Sequence, residues 1–233
     1  MGSKTDDGRI VPAAARVAKP QARTAAKREG ILKAALSVFG TRGYNNAALA
    51  EIAEQAGMTH AGVLHHFGSK EGLLVAVLKY RDGEETSGVE ARAQVEGPAF
   101  LEHMLETVIE NMSRPGVVQT YAVLSAESVT DRHPAQEYFR GRFAGLRRKI
   151  AGVIAGVAGR EIDDEVKDAA NAVIAVMDGL QVQWLLEPDA VDMPRTVAMI
   201  LDELIERLST GTPAPSAVDR ASHLAPGRAE TRA

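Results

Sequence analysis

The chain has 233 residues, 45% of them hydrophobic, 25% charged and only 4% aromatic. That is a globular balance able to bury a core, and with no run alternating apolar and polar over strand length it points to an all-α fold. No cysteine is present, and no apolar run reaches about 18 residues, so disulfide scaffolds, a secretory leader and a membrane partner are set aside and a cytoplasmic location is expected. The net charge of −4 divides into +5 over residues 1–82 and −9 over residues 83–233, so the basic first third is the part suited to a polyanion.

Residues 1–22 mix Gly2, Gly8, Pro12 and Pro20 with alanines and scattered Lys4, Arg9, Arg16 and Lys19, and are read as a disordered arm. Thr24 is placed to cap a first helix, whose stripe of Ile31, Leu32, Ala35, Leu36 and Phe39 ends near Gly40 and Gly43. Leu49, Ile52, Ala53 and Ala56 then draw one helical face at i, i+3, i+4, i+7, and it stops at Gly57. Thr59 caps a third helix in which Val63 and Phe67 pair at i, i+4, leaving His60, Ala61, Gly62, His65 and His66 facing elsewhere. Two short helices about a tight glycine turn make a helix-turn-helix. A helix entering a major groove needs small residues near the bases, hydrogen-bonding groups at base edges and cations at its ends, and this one offers all three, with Lys70 just beyond. Ser69 caps a fourth helix carrying Leu73, Leu74, Val77 and Leu78 towards Asp82 and Gly83.

Residues 83–97 are polar and glycine-punctuated, a loose connection or a frayed helix end. Pro98 suits the first turn of a fifth helix with Leu101, Met104, Leu105, Val108 and Met112 on one side, which Pro115-Gly116 breaks. A sixth follows over about 117–128. A long seventh carries Tyr138, Phe139, Phe143, Leu146, Ile150, Val153, Ile154 and Val157. The eighth, near 163–186, is apolar on nearly all sides from Ala169 to Leu180 and needs cover all round, for which a second subunit is the economical source. Asp192 caps a ninth, with Val197, Ile200, Leu201, Leu204, Ile205 and Leu208 in a wide stripe. Residues 210–233 are read as a disordered tail. The expected layout is a helix-turn-helix DNA-binding domain over 23–68 and a helical ligand-binding and dimerisation domain over 69–209, in which 69–83 is a connecting helix.

Ile31-Leu32, Ala34-Ala35, Phe39, Gly43-Tyr44, Ile52-Ala53, Ala56-Gly57, Leu64-His65-His66-Phe67, Ser69-Lys70-Glu71 and Leu73-Leu74 together resemble the tetracycline-repressor (TetR) family of bacterial one-component regulators. The resemblance covers Thr24 to about Leu78. It implies that His60, Ala61, Gly62 and His65 face bases, with Thr59 opening that DNA-binding face, while His66 and Lys70 hold phosphates. It also implies that the last two long helices pair with their copies in a four-helix dimer interface, for which Val173, Met177, Val197, Leu201, Leu204 and Leu208 are the expected residues. The sequence departs from the family at Leu64, where a phosphate-contacting tyrosine is usual, at Ala48, where a capping threonine or serine is usual, and at Ala50, where a basic residue is frequent.

On the eighth helix Asn171, Asp178 and Gln181 fall within about 80° of one another at ~100° per residue, a polar stripe on a helix expected to be buried. Either they bond across the dimer seam or to neighbouring backbone, or they face a cavity walled by Met104, Val108, Tyr121, Phe143 and Trp184, where Asp178 and Gln181 help to hold a mainly apolar effector. The histidines at i, i+5, i+6 lack the i, i+4 spacing of a helical zinc pair, and no glycine-framed nucleophile, phosphate loop or dinucleotide fingerprint occurs, so no metal, cofactor or enzymatic activity is expected. The function expected is a ligand-responsive repressor that binds a palindromic operator as a homodimer and is released by a small effector. The other reading is a helical small-molecule-binding protein or enzyme with a degenerate helix-turn-helix.

Overall fold

The computed structural model describes residues 13–83 and 96–211, and side chains from residue 23 onward. Among the described residues there are nine helices and no strand: α1 (Ala13–Asn46), α2 (Leu49–Gln55), α3 (His60–Phe67), α4 (Lys70–Arg81), α5 (Ala99–Met112), α6 (Pro115–Glu127), α7 (Gln136–Ala158), α8 (Asp164–Leu186) and α9 (Met193–Thr210).

Helix α1 departs most from expectation. It begins at Ala13, so residues 13–22 are helical and Thr24 lies inside the helix instead of at its cap. Ala13, Ala14, Ala15 and Ala18 are strong helix formers, and no glycine intervenes before Gly30. The rest of the expected arm, the connection over 84–95 and the tail beyond Gly211 lie outside the described residues.

The expected caps hold the helix starts. Thr59 Oγ1 accepts from Gly62 N at 3.1 Å, Ser69 Oγ from Gly72 N at 3.0 Å, and Asp192 Oδ1 from Arg195 N at 3.0 Å. Each satisfies a backbone donor that the helix cannot, at about 1 kcal/mol apiece. Asp163 caps α8 in the same way, through Val166 N at 3.0 Å. Ala48 makes no side-chain cap for α2.

An eight-residue helix such as α3 is marginal alone, so its place is set by packing. Val63 is buried in a core shared with Ile31, Leu32 and Phe39 of α1, Ile52 of α2, and Leu73, Leu74, Val77 and Leu78 of α4. The same core continues into Tyr121 and Leu124 of α6 and Phe139 of α7. The helix-turn-helix unit is therefore welded to the C-terminal helices along α1 and α6, where Thr120 Oγ1 donates to Leu36 O at 2.8 Å. A second core joins α5, α7, α8 and α9 through Met104, Ile150, Ile154, Val166, Val173 and Leu201. By length and composition alone, α8 is long and apolar enough to cross a membrane. It carries Asp178 and Gln181, however, and α6, α7 and α9 pack against it.

The expected interface set on α8 and α9 lies largely inside the single chain. Val173, Val197, Leu201 and Leu208 are between 1% and 3% exposed within the single chain, Leu204 packs on the same core, and Met177 lines an internal cavity. A periodic apolar stripe marks a covered face, but it does not say whether the cover comes from the same chain or from a partner. Here α5, α7, α8 and α9 cover one another.

Candidate nucleic-acid interface and internal cavity

The turn between α2 and α3 closes on Gly57, at φ 64, with Gly57 N bonded to Glu54 O at 3.0 Å and Met58 N to Ala53 O at 2.8 Å. With Val63 pointing into the core, α3 turns Thr59, His60, Ala61 and His65 to solvent, and leaves Gly62, His66 and Lys70 half-buried. All seven sequence-predicted residues thus sit on or beside one exposed helix. Gly62 sits in a tight place, since a Cβ there would come within 3.1 Å of Met58 Cε and 3.3 Å of Thr59 Oγ1. His65 and His66 stand edge to face, ring centroids 5.8 Å apart. The Lys70 ammonium lies 4.5 Å from the Tyr44 ring centroid and donates to Asn45 O at 3.4 Å, and burial pulls its pKa down against the opposing Glu71 and Glu127 charges. Arg28 of α1, not singled out in the sequence, lies over the Phe67 ring at 4.4 Å and adds a cation beside α3.

Tyr44 links this surface to the rest of the molecule. Its hydroxyl donates to Glu71 Oε1 at 3.1 Å, and burial together with Glu71 pushes its pKa up to about 12. Its backbone N–H donates to Glu127 Oε2, at the end of α6, at 2.7 Å. Gly43 makes room for that carboxylate: it takes φ 69, ψ 175, and a Cβ on it would lie 2.0 Å from Glu127 Oε1. The buried His133 completes the node, 3.7 Å from Glu127 Oε2 and edge-on to Tyr44 at 5.2 Å. Burial lowers its pKa, with Glu127 opposing, and its Nδ1 accepts from Ala135 N at 3.2 Å.

A cavity of about 220 Å³ opens among α4, α5, α6, α7 and α8. Of the predicted ligand residues, Met104, Tyr121, Asp178 and Gln181 line it. Val108 instead lines a cleft of about 10 Å³ behind it, while Phe143 and Trp184 are packed in the cores and line neither space. Asn171, two turns before Asp178, is exposed and outside the cavity, so the polar stripe splits. Sequence reasoning missed the charged wall. Asp82 Oδ1 accepts from Arg81 at 2.9 Å, and Asp82 Oδ2 from Arg142 at 2.7 Å and from the Tyr138 hydroxyl. Arg81 also stacks over Tyr121 at 4.0 Å. Burial raises the Asp178 pKa, with Arg142 and Arg81 pulling the other way. No local spacing signals this wall, because Asp82 and Arg142 lie 60 residues apart.

A bundle with an exposed, capped α3 and an internal cavity reached by the end of α4 defines a helix-turn-helix regulator with a sensing domain. Residues 31–77 match the family of bacterial regulatory proteins of the tetR family, and residues 99–209 match the BetI-type transcriptional repressor C-terminal family. The chain belongs to the TetR family of transcriptional regulators and is not an enzyme. It is 28% identical over 191 residues to the HTH-type transcriptional regulator BetI 1 of Chromohalobacter salexigens, covering 80% of this chain and 92% of that one. It is 28% identical over 194 residues to TtgR of Pseudomonas putida, covering 78% and 90%. Among solved structures, SmeT, the repressor of the Stenotrophomonas maltophilia multidrug efflux pump SmeDEF, superposes with a TM-score of 0.59 at 23% identity over 77% of this chain and 88% of that one. That likeness concerns the fold.

Proposed function

We propose that the chain is a cytoplasmic repressor that grips a roughly palindromic operator as a homodimer, one α3 per half-site, and releases it when a small molecule with a mainly apolar body fills the cavity. In this reading Thr59, His60, Ala61, Gly62 and His65 meet bases, while His66 and Lys70 meet phosphates. The observation that carries the reading is the placement of α4. Arg81 and Asp82 at its C-terminal end wall the cavity, and Gly72 in its first turn lies against the carbonyl that ends α3, where a Cβ would be 2.3 Å from Phe67 O. A guest that rearranges the partners of Asp82 moves a rigid rod whose other end carries the recognition helix. The guest must fit best when the two α3 helices stand at a spacing wrong for the operator, since a ligand shifts only an equilibrium whose states it binds differently. The match of residues 99–209 to the BetI-type transcriptional repressor C-terminal family supports repression.

The dimer seam in this reading lies on the outer face of α8 and α9. Val182 is 49% exposed, Leu186 78% and Met199 54%, and Ala175 and Gly179 on the same side of α8 let another helix approach closely. A two-fold copy covers this patch with its own. A gel shift against genomic fragments tests the proposal: retarded bands that weaken with rising salt are expected. Absence of any retarded fragment would favour a small-molecule-binding protein with an idle helix-turn-helix.

A further inference from the structure

We infer that the effector is a neutral molecule presenting a primary carboxamide, N–H beside C=O, on a single-ring apolar body, held between Asp178, Gln181 and Arg142. The inference rests on the cavity being the effector site. Asp178 sits on the cavity wall with no hydrogen bond or ion pair among the described residues, so when ionised it can only accept. One turn on, Gln181 is 7% exposed and its Oε1 is buried without a partner. These are two acceptors for the two N–H bonds of one amide. Arg142 supplies the complement: its Nη1 is held by Asp82, while its Nε–H is buried and unpartnered. An amide lying between them points its N–H end at the carboxylate and its carbonyl at the guanidinium, along the field those two charges set up.

Charge balance selects a neutral guest. Arg81 and Arg142 are matched by Asp82 and Asp178, and the remaining charged pair on the wall, Arg114 and Glu110, is bonded to itself at 3.0 Å. An anion or a cation would leave one charge uncompensated in a half-buried site, and a zwitterion would need two full charges desolvated where an amide brings only a dipole. The usual seat of a quaternary ammonium, over an aromatic face, is also taken: Arg81 covers Tyr121 at 4.0 Å and Lys149 covers Phe100 at 4.4 Å. Size limits the body. A cavity of about 150 Å³ admits benzene, so the 220 Å³ here holds one ring and a short head group.

The test uses the full chain and four probes sharing one ring: benzamide, benzoate, benzylammonium and the zwitterion phenylglycine, titrated calorimetrically at near-neutral pH. Benzamide is expected to bind about tenfold or more tighter than the others, and Asp178→Ala to weaken it by about tenfold, the loss of one hydrogen bond to a charged group. Asp178→Asn, which keeps an acceptor oxygen, should restore part of that affinity, as a misfolded variant would not. Equal or tighter binding of any charged probe, no binding of benzamide, or benzamide affinity indifferent to Asp178→Ala would each overturn the inference. Operator release is measured alongside. Operator bound without benzamide binding sinks the amide and spares the regulator, whereas benzamide bound with the operator grip unchanged sinks the release reading and spares the amide.

Discussion

Lys70 is held close to the protein, its ammonium over the Tyr44 ring and bonded to Asn45 O, so in the proposed operator complex it would meet a phosphate as a fixed cation and not as a loose tether. Fixed cations displace counterions at little entropic cost. Lys70→Ala should weaken binding to all sequences alike and flatten the slope of log affinity against log salt by about one, read by fluorescence anisotropy across a salt series. His60 and Ala61 are exposed at the start of α3 and belong to the other class: substitutions there should change base preference by about 1–3 kcal/mol for each well-formed base pairing they remove, and leave the salt slope intact. Asp178 carries a pH signature. Its folded pKa is raised by burial, so the folded state holds the proton more tightly than the unfolded chain, and stability falls as pH rises from the ordinary carboxylate range through the raised value. Asp178→Asn should therefore melt higher than the parent at neutral pH without a guest. The gap should close on acidification below the ordinary range, and a gap independent of pH would deny the burial penalty.

At the scale of elements, two contacts tie the recognition helix to the sensing helices. Gly72 lets α4 abut the end of α3. Adding a Cβ 2.3 Å from a carbonyl forces the helices apart, and Gly72→Ala should cost about 1–3 kcal/mol in a urea melt and weaken operator binding as well. Glu127 takes the Tyr44 N–H. Glu127→Ala leaves that donor without its partner and should cost about 1–3 kcal/mol, while Glu127→Gln, which keeps an acceptor, should lose much less. The elements themselves were legible, because Thr59, Ser69 and Asp192 cap by bonds to residues three positions on, and short-range signals of that kind are written in short-range sequence. Their junctions were not. Tyr44 and Glu127 are 83 residues apart, and only packing α1 on α6 brings them together. The cavity was half legible for the same reason: Asp178 and Gln181 share one helix and stood out on it, whereas Arg81, Asp82 and Arg142 come from two separate stretches that no local spacing links.

At the scale of the molecule, the apolar stripe of α9 closes the chain's own core, and the outer surface of α8 is left with Val182 and Leu186 in water. A stripe of apolar residues gives the same sequence signal for a face covered by the chain itself and for one covered by a partner. Leu186→Glu and Val182→Glu place charges at the proposed seam and should shift the chain to monomer in sedimentation, with operator affinity falling in step; a dimer that survives both would move the seam elsewhere. The central claim, a two-fold pair of α3 helices reading DNA, is tested most directly by letting the full chain select duplexes from a random pool and weighing the resulting complex. The expected result is a selected sequence with two-fold symmetry, one dimer or a whole number of dimers on each duplex, and affinity that falls as salt rises. A pool that gains no symmetry, or a single protomer bound per duplex, would contradict it.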